Sequence, residues 1–187
     1  MPMPSLKRQW TVDDVHALPD DGNRYEVIDG ELFVSPAPSW RHQEAVFAIH
    51  AILRTYLQRQ RVGHAFSAPA DVIFSPTRGM QPDVFVVPLV NGRRPEHFDE
   101  VKRLLVAIEV LSPSTARADR VAKRMLFRDE DVAEYWIVDL DSRTIERSVR
   151  GELRPEILAE RLFWSPEGAS EALEIDLAGY FAGVQDS

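Results

Sequence analysis

Apolar and polar positions recur along this chain with two periods, and the switches between them mark its elements. Thr11 is placed to cap a short helix over 12–18, which Pro19 and the following Asp-Asp-Gly end. Tyr25-Glu-Val-Ile and Glu31-Leu-Phe-Val flank Asp29-Gly30, a strong hairpin signal. Ser39 can cap a longer helix running to about Arg61. Its apolar positions, Ala45, Val46, Ile49, Ile52, Leu53, Tyr56 and Leu57, recur as on one face packed against a sheet, and Gly63 reads as its stop.

Residues 64–74 read as a strand interrupted by Pro69, hence an edge or bent strand, and 83–87 as a short apolar one. Residues 88–102 are polar and rich in Arg, Asn and Gly, the signature of a surface loop. The near-continuous apolar run over 104–111 predicts a strand buried on both faces. Ser112-Pro-Ser-Thr115 then turns the chain and caps a helix from Ala116 to about Glu130. A strand over 134–140 follows, paired through Asp141-Ser-Arg-Thr with 145–149. Strand, helix, strand over 104–140 is long enough for a right-handed crossover, so these two strands are expected to be parallel neighbours. The tail predicts a short strand near 162–164 and a helix capped by Asp176 that buries Leu177, Tyr180 and Phe181. The expectation is one α/β domain over 1–187, a mixed sheet flanked by helices with an N-terminal hairpin.

Composition narrows the picture. A chain of 187 residues can bury a core without staples, and the absence of cysteine excludes disulfides and thiolate metal sites. Residues 1–9 carry no apolar leader and no later run approaches bilayer length, which points to the cytoplasm. The formal charge of −8 is unfavourable for broad polyanion binding, which needs basic surface. It leaves room for a local basic cleft, since Arg93, Arg94, Lys102 and Arg103 precede the strand over 104–111 and Arg117, Arg120 and Arg124 follow it.

Candidate chemistry sits where charge interrupts apolar runs. Glu109 falls inside the strand over 104–111, on the face that alternation assigns to Leu105, Ala107 and Leu111, where an ionised carboxylate is costly unless compensated. Asp83 follows Pro82 at a strand start, and Asp119 and Lys123 stand one turn apart on the next helix, Lys123 at the edge of a stripe of Ala118, Val121, Ala122 and Met125. Asp83 and Glu109 could each give one oxygen to magnesium, with the Val110 carbonyl as a further ligand. The Lys123 ammonium could orient a water and offset transition-state charge. Plainer readings exist for each: turn chemistry for Asp83, an ion pair with Arg120 or Arg124 for Glu109, and an exposed helix pair worth about 0.3–0.5 kcal/mol for Asp119 and Lys123. His42 fits either a core-edge histidine or a substrate contact. Ser112, Ser114 and Thr115 are better explained by capping than as nucleophiles.

The order Pro82-Asp83, Glu109-Val-Leu-Ser-Pro-Ser-Thr115, Asp119, Lys123 and Glu134-Tyr-Trp-Ile-Val-Asp139 resembles the Uma-two family, bacterial proteins regarded as endonucleases of the PD-(D/E)XK, or restriction-endonuclease-like, superfamily. The likeness extends to Tyr25-Glu-Val-Ile-Asp-Gly-Glu31, Arg41-His42 and, more loosely, Leu177-Ala-Gly-Tyr-Phe181. It implies a restriction-endonuclease-like core, a Mg(II) or Mn(II) ion, hydrolysis of phosphodiesters in nucleic acid, foremost DNA, and a homodimer as an option. It makes Asp83 the first acid and Glu109 the second. The superfamily's usual lysine position holds Leu111, so that role passes to Lys123, while Glu26 matches a further acid, a ligand directly or through water. Arg120, Arg124 and His42 are the candidate substrate contacts. Phe127 stands where the family commonly has Tyr, which puts a proton relay there in doubt, and Asp131 stands near a usual Gly. The alternative from another class is a silent subunit that keeps the fold for binding or assembly, consistent with the acidic balance.

Overall fold

The computed structural model describes residues 8–185, so residues 1–7 of the stretch read as lacking a leader lie outside it. Thr11 closes a capping box with Asp14 and starts α1 (Val12–His16). β1 (Arg24–Ile28) and β2 (Glu31–Ser35) form the expected hairpin, with Ile28 opposite Glu31. Asp29 and Gly30 both take positive φ, 51° and 77°, the requirement of a tight two-residue turn whose twist matches its strands.

Ser39 accepts from the His42 N–H and starts α2 (Trp40–Gln60). Its buried face carries His42 as well as Ala45, Val46, Ile49, Leu53, Tyr56 and Leu57. The helix ends at Arg61, in the left-handed conformation at φ 54°, and not at Gly63. Gly63 opens β3 (Gly63–Ser67) for a different reason. A Cβ there would lie 2.7 Å from the Val87 carbonyl oxygen, so the close approach of β3 to its neighbour requires glycine.

The segment read as one bent strand divides between two sheets. β3 belongs to the large sheet, and β4 (Val72–Ser75), beyond the cis Ala68-Pro69 bond, pairs with β5 (Arg78–Met80), a short strand with no periodic signal in the sequence. A four-stranded sheet of order β2-β1-β5-β4 results, so the hairpin joins its own sheet. The large sheet continues with β6 (Val84–Pro88), β7 (Val106–Val110), β8 (Glu134–Asp139), β9 (Thr144–Val149) and β10 (Glu156–Leu158), in order β10-β9-β8-β7-β6-β3. Within this sheet β7 and β8 run parallel, joined by the expected crossover. β11 (Arg161–Trp164) pairs with β12 (Leu173–Asp176), followed by α4 (Leu177–Gln185).

Two apolar clusters cover the large sheet. On one face Val106, Ile108 and Val110 of β7 pack with α2, α4, β11 and β12; on the other, Ala107 lies with Phe85, Ile137, Leu126, Phe127 and residues of the small sheet. All five residues of β7 are buried, as its apolar run requires. Leu105 departs from the expected alternation and joins the first cluster, because it precedes the strand.

The crossover helix differs from its reading in winding and in face. Ala118–Lys123 is a π-helical segment that runs into α3 (Arg124–Asp129). Its inward residues are Asp119, Lys123, Leu126 and Phe127, whereas Val121 and Met125 are 53% and 51% exposed. Apolarity alone selects the wrong face here, since the buried one carries two charges. Past the helix Asp131 sits at φ 55°, a left-handed position that favours glycine.

Gly63→Ala is expected to lower unfolding free energy by about 1–3 kcal/mol, the usual cost of forcing a methyl into packed backbone. Urea denaturation checks this, and an unchanged midpoint would show that β3 can move away from Val87.

Candidate functional site

Glu26, Asp83, Glu109, Asp119 and Lys123 come from four separate stretches of chain and are all buried in one cluster. Alternation puts Glu26 of β1 and Glu109 of β7 on facing sheets, and the π-helical segment lays Lys123 between them. The Lys123 Nζ lies 2.8 Å from Glu109 Oε1, 2.9 Å from Glu26 Oε2 and 3.4 Å from Asp119 Oδ1. The Asp119–Lys123 pair is therefore not the exposed helix pair its spacing suggests, and Glu109 pairs with lysine in place of an arginine. Glu26 also accepts the Gln81 N–H at 2.8 Å, which ties the small sheet to the same lysine.

Asp83 is fixed from three sides. Its Oδ1 accepts from Arg24 at 2.8 Å, and its Oδ2 accepts from the Val110 N–H at 2.9 Å and from His42 Nε2 at 3.1 Å. Arg24 was invisible as a site residue in the sequence, although it stands two residues before Glu26 and so shares its strand face. His42 Nδ1 is buried without a partner, so His42 supports Asp83 and is not held from its other side.

Electrostatics separates these groups. Burial alone would raise the Asp83 pKa, but the His42 hydrogen bond, the Arg24 charge and the Val110 N–H outweigh it and keep the carboxyl well below the usual range. Glu109 goes the other way: burial raises it well above the ordinary glutamate value, Lys123 opposes the rise, and the charges of Asp83, Asp119 and Glu26 add to it. Burial also disfavours the Lys123 ammonium, yet Glu109, Glu26 and Asp119 outweigh this and push its pKa well up. Lys123 therefore stays charged. Burial also pushes Asp119 up, so Glu109 and Asp119 are the carboxylates that Lys123 does not fully compensate.

A cavity of about 590 Å³ opens onto part of this cluster. Asp83, Glu109, Val110, Lys123, His42 and Arg24 line it, whereas Glu26 and Asp119 stand behind Lys123. Its lining carries four cations, Arg24, Arg41, Arg120 and Lys123, against four carboxylates, Asp83, Glu109, Asp139 and Asp141. Arg120 reaches the rim but is engaged by Glu146 at 2.6 Å and Asp139 at 2.9 Å. Arg124 does not line this cavity and pairs with Glu146. Phe127, in the usual tyrosine position, packs against Tyr135 with ring centroids 4.7 Å apart, and the Tyr135 hydroxyl donates to the Asp119 carbonyl at 3.1 Å.

The family model described as "Putative restriction endonuclease", Uma2, matches residues 12–178. The chain belongs to the Uma2 family. Among solved structures, the Uma2 chain is similar to a "putative nuclease belonging to DUF820" from Anabaena variabilis ATCC 29413, at 22% identity and a TM-score of 0.76. The match covers 93% of this chain and 98% of that one, and it shows a shared fold. No curated protein matches. The mixed α/β architecture found here is thus the Uma2 nuclease fold.

Whether this Uma2 site suits a divalent cation can be judged from its donors. A carboxylate offers about four lone-pair sites, and Asp83 uses three, while among the described residues no side chain holds Glu109 Oε2. Four buried carboxylates face only two fixed cations, Lys123 and Arg24. Hard oxygen donors with negative charge to spare fit Mg(II) or Mn(II). Among the described residues no three His, Cys, Asp or Glu groups are arranged to hold a metal by themselves, so such an ion would rest on two carboxylates, a carbonyl and water.

A carboxyl whose folded-state pKa is raised contributes stability below its unfolded pKa and loses it as pH rises through the folded value. Glu109→Gln is therefore expected to gain stability relative to the native chain as pH rises above the ordinary glutamate range. Thermal melts at rising pH measure it. An advantage that shrinks with rising pH would mean that Lys123 overcompensates Glu109.

Proposed function

We propose that the chain is a metal-dependent endonuclease that hydrolyses phosphodiester bonds, with DNA as its substrate. Nuclease chemistry is the function class of the Uma2 family, and the geometry supports the finer reading. The single observation that carries it is the cavity onto which Asp83, Glu109 and Lys123 open together.

Asp83, Glu109 and the Val110 carbonyl would hold Mg(II) or Mn(II). When bound, the ion would neutralise the non-bridging oxygens of the phosphate and lower the pKa of its water. The chain's own residues do the rest. Arg24, His42 and the Val110 N–H fix the Asp83 carboxylate, so its orientation does not depend on substrate. Lys123 remains an ammonium and serves as a donor that orients water and offsets charge on the phosphate, not as a base. Glu26 and Asp119 position that ammonium from behind the cavity, so Glu26 is a positioning residue.

The competing reading is a silent subunit that keeps this fold for binding. Its support is the acidic chain and the balanced charge of the cavity lining. Against it, Asp83, Glu109 and Lys123 open onto the cavity together with the Ser112–Thr115 turn.

Cleavage of plasmid and of labelled oligonucleotides, with Mg(II), Mn(II) or chelator, separates the two. The native chain is expected to cut only with added metal, and Glu109→Gln to lose at least about 100-fold in rate. Native-like cutting by Glu109→Gln, or no cutting by the native chain on any substrate, would remove the enzyme reading.

A further inference from the structure

The active-site cavity presents as many carboxylates as cations, so it offers no net attraction to a polyanion. A second groove does. It has a volume of about 250 Å³ and lies along the outer side of the crossover helix and the β9–β10 turn. Arg120, Arg124, Arg128, Arg150 and Arg154 line it against a single carboxylate, Glu152. In a chain of net charge −8 this is a concentrated basic surface, and Arg120 belongs to the linings of both the groove and the cavity.

Its arginines differ in what holds them. Arg120 and Arg124 share Glu146, and the Arg124 Nε has no hydrogen-bond partner. The Ser148 hydroxyl, also on the groove, is likewise buried without a partner. Arg128 and Arg150 make only exposed pairs, with Asp129 at 3.5 Å and Asp131 at 2.9 Å, which contribute little and exchange readily for another anion. Val121 and Met125, half exposed, and Leu153, 98% exposed, give the same groove apolar contacts suited to sugars and base faces.

Resting on the nuclease reading above, we propose that this arginine groove holds the phosphodiester backbone of the nucleic acid next to the cleaved bond. The strand would leave the cavity across Arg120 and run toward Arg128 and Arg154. The groove thus supplies the affinity that the balanced cavity lacks, and the two functions are separable: Asp83, Glu109 and Lys123 act on one phosphate, while the arginines hold its neighbours.

The test is equilibrium binding of fluorescein-labelled single-stranded and duplex DNA in chelator, where no cutting occurs, at several salt concentrations. Arg128→Ala/Arg154→Ala changes two exposed side chains and is expected to weaken binding and to flatten the log K against log salt slope. Two lost phosphate contacts correspond to about 1.4 on single strands and about 1.8 on duplex. Arg161→Ala, an exposed arginine on the β11–β12 hairpin, serves as the control and should bind as the native chain does. With metal, the double variant should raise KM with kcat retained. An unchanged slope on both DNA forms overturns the groove assignment while leaving the nuclease reading intact. So does a double variant that keeps its DNA affinity but changes self-association in sedimentation, which would make the groove a contact between copies. If metal-dependent cutting is absent but the slope falls as expected, the groove stands and the catalytic reading fails.

Discussion

The ammonium of Lys123 is the contact on which the rest of this molecule depends. It is almost fully buried, and its three carboxylate partners come from the small sheet, the large sheet and its own helix. An isolated buried lysine would shed its proton, and isolated buried carboxylates would take one up. Held together, they keep the Lys123 ammonium charged and fix three layers in one orientation. The small sheet packs on the large one through apolar residues such as Ile28, Val72 and Met80, but the Glu26–Lys123–Glu109 link and the Gln81 N–H set their register at the site.

The cluster is not balanced, and that imbalance connects structure to chemistry. Lys123 and Arg24 cannot compensate four carboxylates, and the deficit falls on Asp119 and on Glu109, of which Glu109 faces the cavity. Stability alone would favour an amide at this position. A carboxylate that weakens the fold and looks into a cavity is the pattern expected where a site is preorganised for a cation.

Much of the frame was legible because local signals and tertiary packing agree in it. The Asp29-Gly30 hairpin, the Ser39 cap, the doubly buried β7 and its parallel crossover to β8 all follow from turn chemistry and hydrophobic period. The errors arise where charge is buried. Apolarity placed Val121 and Met125 inside the crossover helix, yet the inward positions 119, 123, 126 and 127 keep helical spacing with two charges among them. Their cost is met by groups distant in sequence, which a local pattern does not reveal. Arg24 was missed for the same reason, and Gly63 reads as a helix stop when its constraint is the neighbouring strand. Arg120 and Arg124 are paired with Glu146 of β9, a partner distant in sequence that local spacing does not reveal.

The central claim is that Asp83 and Glu109 together complete a cation site while Lys123 stays anchored by Glu26 and Asp119. Anomalous diffraction from crystals soaked in manganese tests it most directly. One peak bound by Asp83 and Glu109 beside the Val110 carbonyl is expected, with the Lys123 ammonium still between Glu26 and Asp119. No peak at that position, with Glu109 left paired to Lys123 alone, would contradict it.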